Sequence, residues 1–462
     1  MTDLTEQVLQ GVLHILQEMQ ERLVSNGMES VGMCAIRLQR LAHLLYCCRH
    51  PLNIPQELIT TVEMAFSYTQ LLENTQLEDL SHIASCIYVQ KLRKGRPLIM
   101  IPEEQLRYLL TDLHFSISDV ASMLRVSRPT LYKKMEEYGI LPKQALKCLS
   151  DQEIDSAISE IKKEFPNAGI RITLGILRSQ KKYITREQVM KSLWRTDPIG
   201  VIERSLPVKY IPRYEYSIHH PNVLWHIDGY HKLIRYNIVV HGAIDGGTHK
   251  VLYLHASLNN RAVTVLELFS RATSTFGIPS RVRGDMGVEN VDVARIERLW
   301  VDLSRAVVQH NKAFYMELER SYGLDINDPV SLWCFWHVFL PRLQQQLDTF
   351  MNGWNQHPMS SEKGRSPDQL FILGMNSVQD YEDTMHEVDD VVDEITYGVD
   401  RMGQPPTLED SHCDSVPVVV PEFPCPISPR KQLELEESVD CFSDDGSCGI
   451  ILFQQALQIA RS

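Results

Sequence analysis

Three apolar runs in quick succession constrain this chain more than any other feature: VLWHIDGYHKL, YNIVVHGAID and KVLYLHASL, between Val223 and Leu258. Each is rich in β-branched and aromatic residues and is bounded by Gly, Asp or Asn, which is strand chemistry. A helical pattern from Asn260 to Phe276 follows, and a later strand closes at Asp285 beside two glycines. Strand-like alternation begins only after Pro221, so an α/β domain starts there and runs to about Met375. Upstream the periodicity is helical. Val8, Val12, Leu13, Ile15 and Leu16, then Leu38, Leu41, Leu44 and Leu45, carry it over residues 1–90. A basic link, QKLRKGRPLIMIP, then leads to a second helical region reaching about Thr196.

With 462 residues the chain has room for several domains, each with its own core. It contains no run of about 18 apolar residues, and no basic segment ahead of an apolar core opens it, so neither a membrane span nor a signal peptide is expected. The expected compartments are nucleus or cytoplasm. Ten cysteines without a CxxC pair or zinc-finger spacing point to reduced thiols. The net charge of −13 conceals an asymmetry. Residues 376–462 hold 19 Asp and Glu against 4 Lys and Arg, a net of −15, so the first 375 residues carry +2; within them, Lys91 to Glu215 has 23 basic against 15 acidic residues. The acidic, Pro-rich tail is expected to be largely disordered apart from a short helix near Ile451 to Ile459, and it suits either masking of basic segments or recruitment of a protein partner.

The positive region holds two candidate DNA readers. Around Ser116 to Met135 the spacing is that of a helix-turn-helix. Ser118 is expected to cap a first helix with Val120, Ala121 and Leu124 facing inward, Val126 to sit in the turn, and Ser127 to cap a second helix with Pro129 in its first turn. Ser127, Arg128, Thr130, Lys133 and Lys134 would then face a phosphate or a base edge; a packing unit with a solvated basic face is the alternative. A second unit, residues 151–215, runs from Gly169 to Arg178 and reopens at Thr185, which with Gln188 has the pattern of a capping box. Arg178, Lys182 and Arg186 are its candidate DNA contacts.

Asp228 stands mid-strand among apolar neighbours, an expensive place for a carboxylate without a cation or a partner. Asp285 lies 57 residues on, room for two strands and a helix. LWHIDGYHKL, HGAIDGGTHKVLYLHASLNNRAVTVLELF, FGIPSRVRGDMGVEN and RIERLW resemble the integrase core of retroviral and retrotransposon integrases, and more closely that of transposon-derived integrase-core proteins of animal genomes. WNQHPMSSEKGRSPDQLFILGM is similar to the segment that closes that core. The resemblance implies a DDE-type, RNase H-like domain with one Asp on the first of five strands, a second at the end of the fourth and a Glu on a helix behind. Together they hold Mg²⁺ or Mn²⁺ for phosphoryl transfer on DNA. Carried over by motif, these are Asp228, Asp285 and Glu297, as catalytic and metal-ligating residues.

The family spacing is not kept. About 35 residues would normally separate the second Asp from the Glu, whereas here 12 do. The absent piece would carry the fifth strand and an active-site loop. Val291 to Tyr322 can then read as one helix, leaving Glu297 badly placed to share a cation with Asp285; Glu289 and Asp292 are substitutes without motif support. Asp245 reads as turn chemistry. The stripe Trp333, Phe335, Trp336, Phe339, Leu340 and Leu343 reads as core, His226, His231 and His241 as ordinary strand histidines, and His219 and His220 as linker residues.

The expectation is an α+β multidomain chain: a helical segment (1–90), a helix-turn-helix (91–150), a second such unit (151–215), a truncated RNase H-like integrase core (216–375) and a disordered acidic tail (376–462). It would bind DNA with an impaired catalytic core, the alternative being an active Mg²⁺-dependent integrase or transposase. DNA is the expected partner, a membrane is not, and a homo-oligomer is compatible with the sequence.

Overall fold

The computed structural model describes residues 98–140, 149–205 other than 183, 220–284, 294–382 and 425–462, with short pieces at 38, 56, 59–65 and 88–90. The chain divides into two compact units, one of Ser81–His310 with Gln346–Val420, the other of Met1–Leu80, Asn311–Gln345 and Pro421–Ser462. Of the N-terminal periodicity only Leu38 is described; Val8, Val12, Leu13, Ile15, Leu16, Leu41, Leu44 and Leu45 lie outside the described residues. Among the described residues no helix is long and apolar enough to cross a membrane.

The first unit opens with a two-stranded antiparallel ladder, β1 (Tyr88–Gln90) on β2 (Leu98–Met100). The sequence periodicity places β1 at the end of the helical segment 1–90 and β2 in the basic link, because three-residue strands are too short to display an alternation. Helix α1 (Glu103–Arg107) continues as a π-helical turn to Asp112, and α2 (Ile117–Met123) and α3 (Arg128–Glu137) follow. Leu106, Leu109, Val120, Ala121, Leu124, Leu131 and Met135 make one apolar cluster between them, with Val126 half-buried against it as expected. Ser127 caps α3 by accepting from the Thr130 N–H. The cap of α2 is Ser116, not Ser118: the Asp119 N–H donates to Ser116 Oγ at 3.1 Å, and Ser118 lies one residue inside the helix. Both serines precede the same apolar positions, and spacing alone does not separate them.

Helices α4 (Asp151–Glu164), α5 (Ile170–Ser179), α6 (Arg186–Thr196) and α7 (Pro198–Ser205) follow. Both halves of the Thr185–Gln188 capping box are present, and Asp155 ties α4 to α6 by accepting from Ser192 and Arg195. These helices are not a detached module. Gly175 on α5 lies so close to Gly353 that a Cβ there would stand 2.0 Å from the Gly353 carbonyl oxygen.

Among the described residues the sheet has four strands in the order β5-β4-β3-β6, made of β3 (Trp225–Leu233), β4 (Ile238–Asp245), β5 (Val251–Ser257) and β6 (Val282–Gly284). The first three are antiparallel neighbours and β6 runs parallel to β3. Helix α8 (Ala262–Phe276) covers one face, packing Leu268, Phe269 and Ala272 on Trp225, Ala243 and Tyr253. Helix α9 (Ala294–Leu303) passes through a π-helical turn, Ser304–Val308, into α10 (Gln309–Ser321), giving the nearly unbroken helix that the short spacing predicts. Helices α11 (Pro329–Gln356) and α12 (Pro367–Glu382) complete the region. The closing motif earns its residues structurally. Asn355 exchanges two hydrogen bonds with the Val251 backbone, Trp354 donates to the His249 carbonyl, and Gln369 donates to the Leu113 carbonyl. Lys250, nearly buried, pairs with Asp368 between the rings of Phe276 and Phe371.

The end of the tail holds the expected terminal helix and one more. Residues 425–462 form α13 (Pro429–Ser438) and α14 (Ile450–Arg461), with Leu435, Phe453 and Ala456 fully buried. Arg342 donates to the carbonyls of Cys441 and Ser443, and Arg461 pairs with Asp328. Helix α14 falls where the short terminal helix is expected, whereas counting charge hid the apolar spacing of Leu433 and Leu435 in α13. Residues 383–424 lie outside the described residues. Phe335, Phe339 and Leu343 are buried, and Tyr315 meets Phe335 edge-on at 4.8 Å, so the aromatic stripe is core.

Candidate functional site

Asp228 lies at the middle of β3, opposite Gly242 of β4. Successive strand residues point to opposite faces, and Asp228 takes the face away from α8. There its carboxylate is met by a protein donor. Trp300 Nε1 donates to Asp228 Oδ2 at 2.6 Å, and the Gly229 N–H donates to Oδ1 at 2.7 Å. The indole is fixed on both sides. It stacks on Tyr230 with ring centroids 5.0 Å apart and planes 28° apart, and Gly242 leaves it room, since a Cβ there would stand 2.5 Å from the ring. The Tyr230 phenol is hydrogen-bonded to Ser304 in the π-helical turn, and burial raises its pKa.

Glu297 is exposed, on the first turn of α9. The side chain of that helix that reaches Asp228 is Trp300, three residues on. Asp285, Glu289 and Asp292 lie outside the described residues, although β6 stops one residue before Asp285, with Gly284 opposite Ile227. Hard divalent cations require several oxygen ligands. Among the described residues no group of three or more His, Cys, Asp or Glu is arranged to hold a metal. Sequence reading missed Trp300, Tyr230, Gly242 and Ser304; the available signal was the Trp in RIERLW, one helical turn after the Glu.

Asp245 is fully buried at the β4–β5 turn. Its carboxylate accepts from the Asn222 and Thr248 N–H groups and from the Thr248 hydroxyl, while burial raises its pKa against those bonds. It is a turn anchor. His226 and His241 are buried on their strands, and His241 Nε2 lies 3.0 Å from the Asn259 carbonyl. His231 also lies on β3. His220 is half-buried, and His219 is outside the described residues.

The basic candidates divide. Arg128, Lys133 and Arg186 are exposed, without an ion pair among the described residues. Lys134 is paired with Glu137 and lies over the Tyr138 ring, and Ser127 and Thr130 hydroxyls bond each other in the cap. Arg178 is half-buried, which lowers its pKa, and Lys182 donates to Gln180. Lys181 and Lys191 pair with Asp112 and Glu187. The exposed basic set is thus smaller than the sequence count.

A family model described as an integrase core domain matches residues 215–296 and, separately, 291–385. The two matched segments overlap at residues 291–296, between Asp285 and Glu297. No curated protein matches the chain.

Proposed function

From an integrase-like core over residues 215–385 as premise, we propose that this chain is a transposon-derived DNA-binding protein whose catalytic carboxylate site is impaired. One observation carries the impairment: the indole of Trp300 donates to Asp228, the residue that the family motif assigns to the metal. A carboxylate hydrogen-bonded within a packed Trp–Tyr pair is held as a structural group, and Glu297 is turned to solvent on the same helix. DNA binding is supported by the two capped helices at Ser127 and Thr185, whose first turns carry exposed Arg128 and Arg186. The core would add a grip of little sequence preference.

The second reading is Mg²⁺-dependent strand transfer or nicking. It is favoured by the parallel β3–β6 ladder, which sets Gly284 opposite Ile227, each one residue before an aspartate of the motif in sequence. Binding is tested by retention of labelled duplex across a salt series, comparing wild type with Arg128→Ala/Lys133→Ala. Salt-sensitive retention that weakens in the variant is the expected outcome. Retention that ignores both salt and the substitutions would sink the reading.

A further inference from the structure

Three helices end with the same pair of backbone bonds, in which the residue after the helix takes a left-handed conformation. At the end of α3, the Gly139 and Ile140 N–H groups donate to the carbonyls of Glu136 and Met135. At the end of α2, Arg125 and Val126 make the same bonds to Ser122 and Ala121; at the end of α5, Lys181 and Lys182 make them to Arg178 and Leu177. The left-handed residue is Gly139 in the first case (φ 62°) but Arg125 (φ 52°) and Lys181 (φ 56°) in the others. Glycine adopts this conformation freely, whereas an L side chain crowds the following carbonyl. The chain thus uses glycine where α3 ends and a long cation where α2 and α5 end.

The two cationic turns share a further arrangement. Each leads into a helix capped by a hydroxyl, Ser127 or Thr185, with an exposed arginine at the first helical position, Arg128 or Arg186. Both cations are exposed. The turns also belong to neighbouring parts of one compact unit: Lys181 Nζ lies 3.0 Å from Asp112 Oδ1, and the His114 ring lies 3.5 Å from the Arg178 carbonyl. The Lys181 pair is at the surface, with the lysine side chain 74% exposed, so little holds the ammonium there against a stronger anion. Strain kept at two equivalent exposed positions, always under a long cation, is a feature to be explained by what the cations touch.

We propose that Arg125 and Lys181 are contacts to the phosphodiester backbone of duplex DNA, flanking α3 and α6; the proposal rests on the DNA-binding reading above. Such contacts fix register and contribute affinity without sequence preference. Arg125→Gly, Lys181→Gly and the double variant, made in the full chain, test it by thermal unfolding and duplex retention across a salt series. The expected result is a split. The unfolding midpoint stays or rises, because glycine fits the turn, while binding to any duplex sequence weakens and the slope of log affinity against log salt falls by about one per residue removed. A lowered midpoint, or an unchanged slope when Arg128→Ala/Lys133→Ala does lose binding, overturns this inference and leaves the DNA reading standing. A wild type that does not retain duplex at all removes both.

Discussion

A carboxylate on a buried strand must be met by a cation or by hydrogen-bond donors, and at Asp228 the donors come from Trp300 and Gly229. Hydrogen bonds to charged groups contribute about 1.5–3 kcal/mol each. Trp300→Phe keeps the ring on Tyr230 and removes only the N–H, so it should lower stability by about that much in denaturant unfolding. Combined with Asp228→Ala, the two losses should be strongly non-additive, since they break one bond; additive losses would mean that the contact contributes nothing. The room for the indole depends on Gly242, where a Cβ would stand 2.5 Å from the Trp300 ring. Gly242→Ala should therefore cost about 1–3 kcal/mol, as overpacking of a core does. Asp228 was legible in the sequence because an apolar strand makes its charge conspicuous. Trp300 was not, because a tryptophan on an amphipathic helix looks like any other core residue until the ring finds its acceptor.

Elements long enough to show a period were readable: β3, β4, β5 and α8 fall where alternation and helical spacing put them, and the 12-residue gap correctly announced a helix running straight on from α9. What could not be read were ladders three residues long, such as β1 on β2, and the close approach of two helices at glycine. Gly175 carries no signal of its own until Gly353 is seen beside it. Gly175→Ala should push α5 and α11 apart and lower the unfolding midpoint, with a loss of about 1–3 kcal/mol or more; an unchanged midpoint would contradict the crossing. The sheet carries a pH dependence as well. Burial, with Arg271 and His241 adding to it, lowers the His255 pKa to about 4 from 6.5. A base whose pKa is depressed on folding contributes fully above its unfolded value, and that contribution is lost as pH falls from about 6.5 to about 4. His255→Gln should flatten the decline of stability across that window in urea titrations at stepped pH.

At the scale of the molecule, net charge misled at α13 only: the tail sums to a strongly acidic segment, yet α13 buries Leu435, as the expected terminal helix α14 buries Phe453. Each such side chain contributes about 1.5–3 kcal/mol when fully buried. A chain ending at Pro424 should therefore unfold at a lower temperature and bind a hydrophobic dye, whereas a disordered end could be removed without either change. The charge asymmetry was informative at the other end. It located the helical region where Arg128, Lys133 and Arg186 are exposed, but it counted cations that Glu137, Asp155 and Glu187 already engage. Ion pairs between elements are set by the fold and leave no mark on composition. The central claim is that the chain binds DNA with the Asp228 carboxylate diverted from catalysis. The most direct test incubates the full chain with labelled duplex in Mg²⁺ or Mn²⁺ and scores retention and nicking in the same samples, with Asp228→Asn/Asp285→Asn as control. Salt-sensitive retention, and no nicking that the double substitution abolishes, is the predicted result; nicking that disappears in that variant would contradict the account and make the shortened core an enzyme.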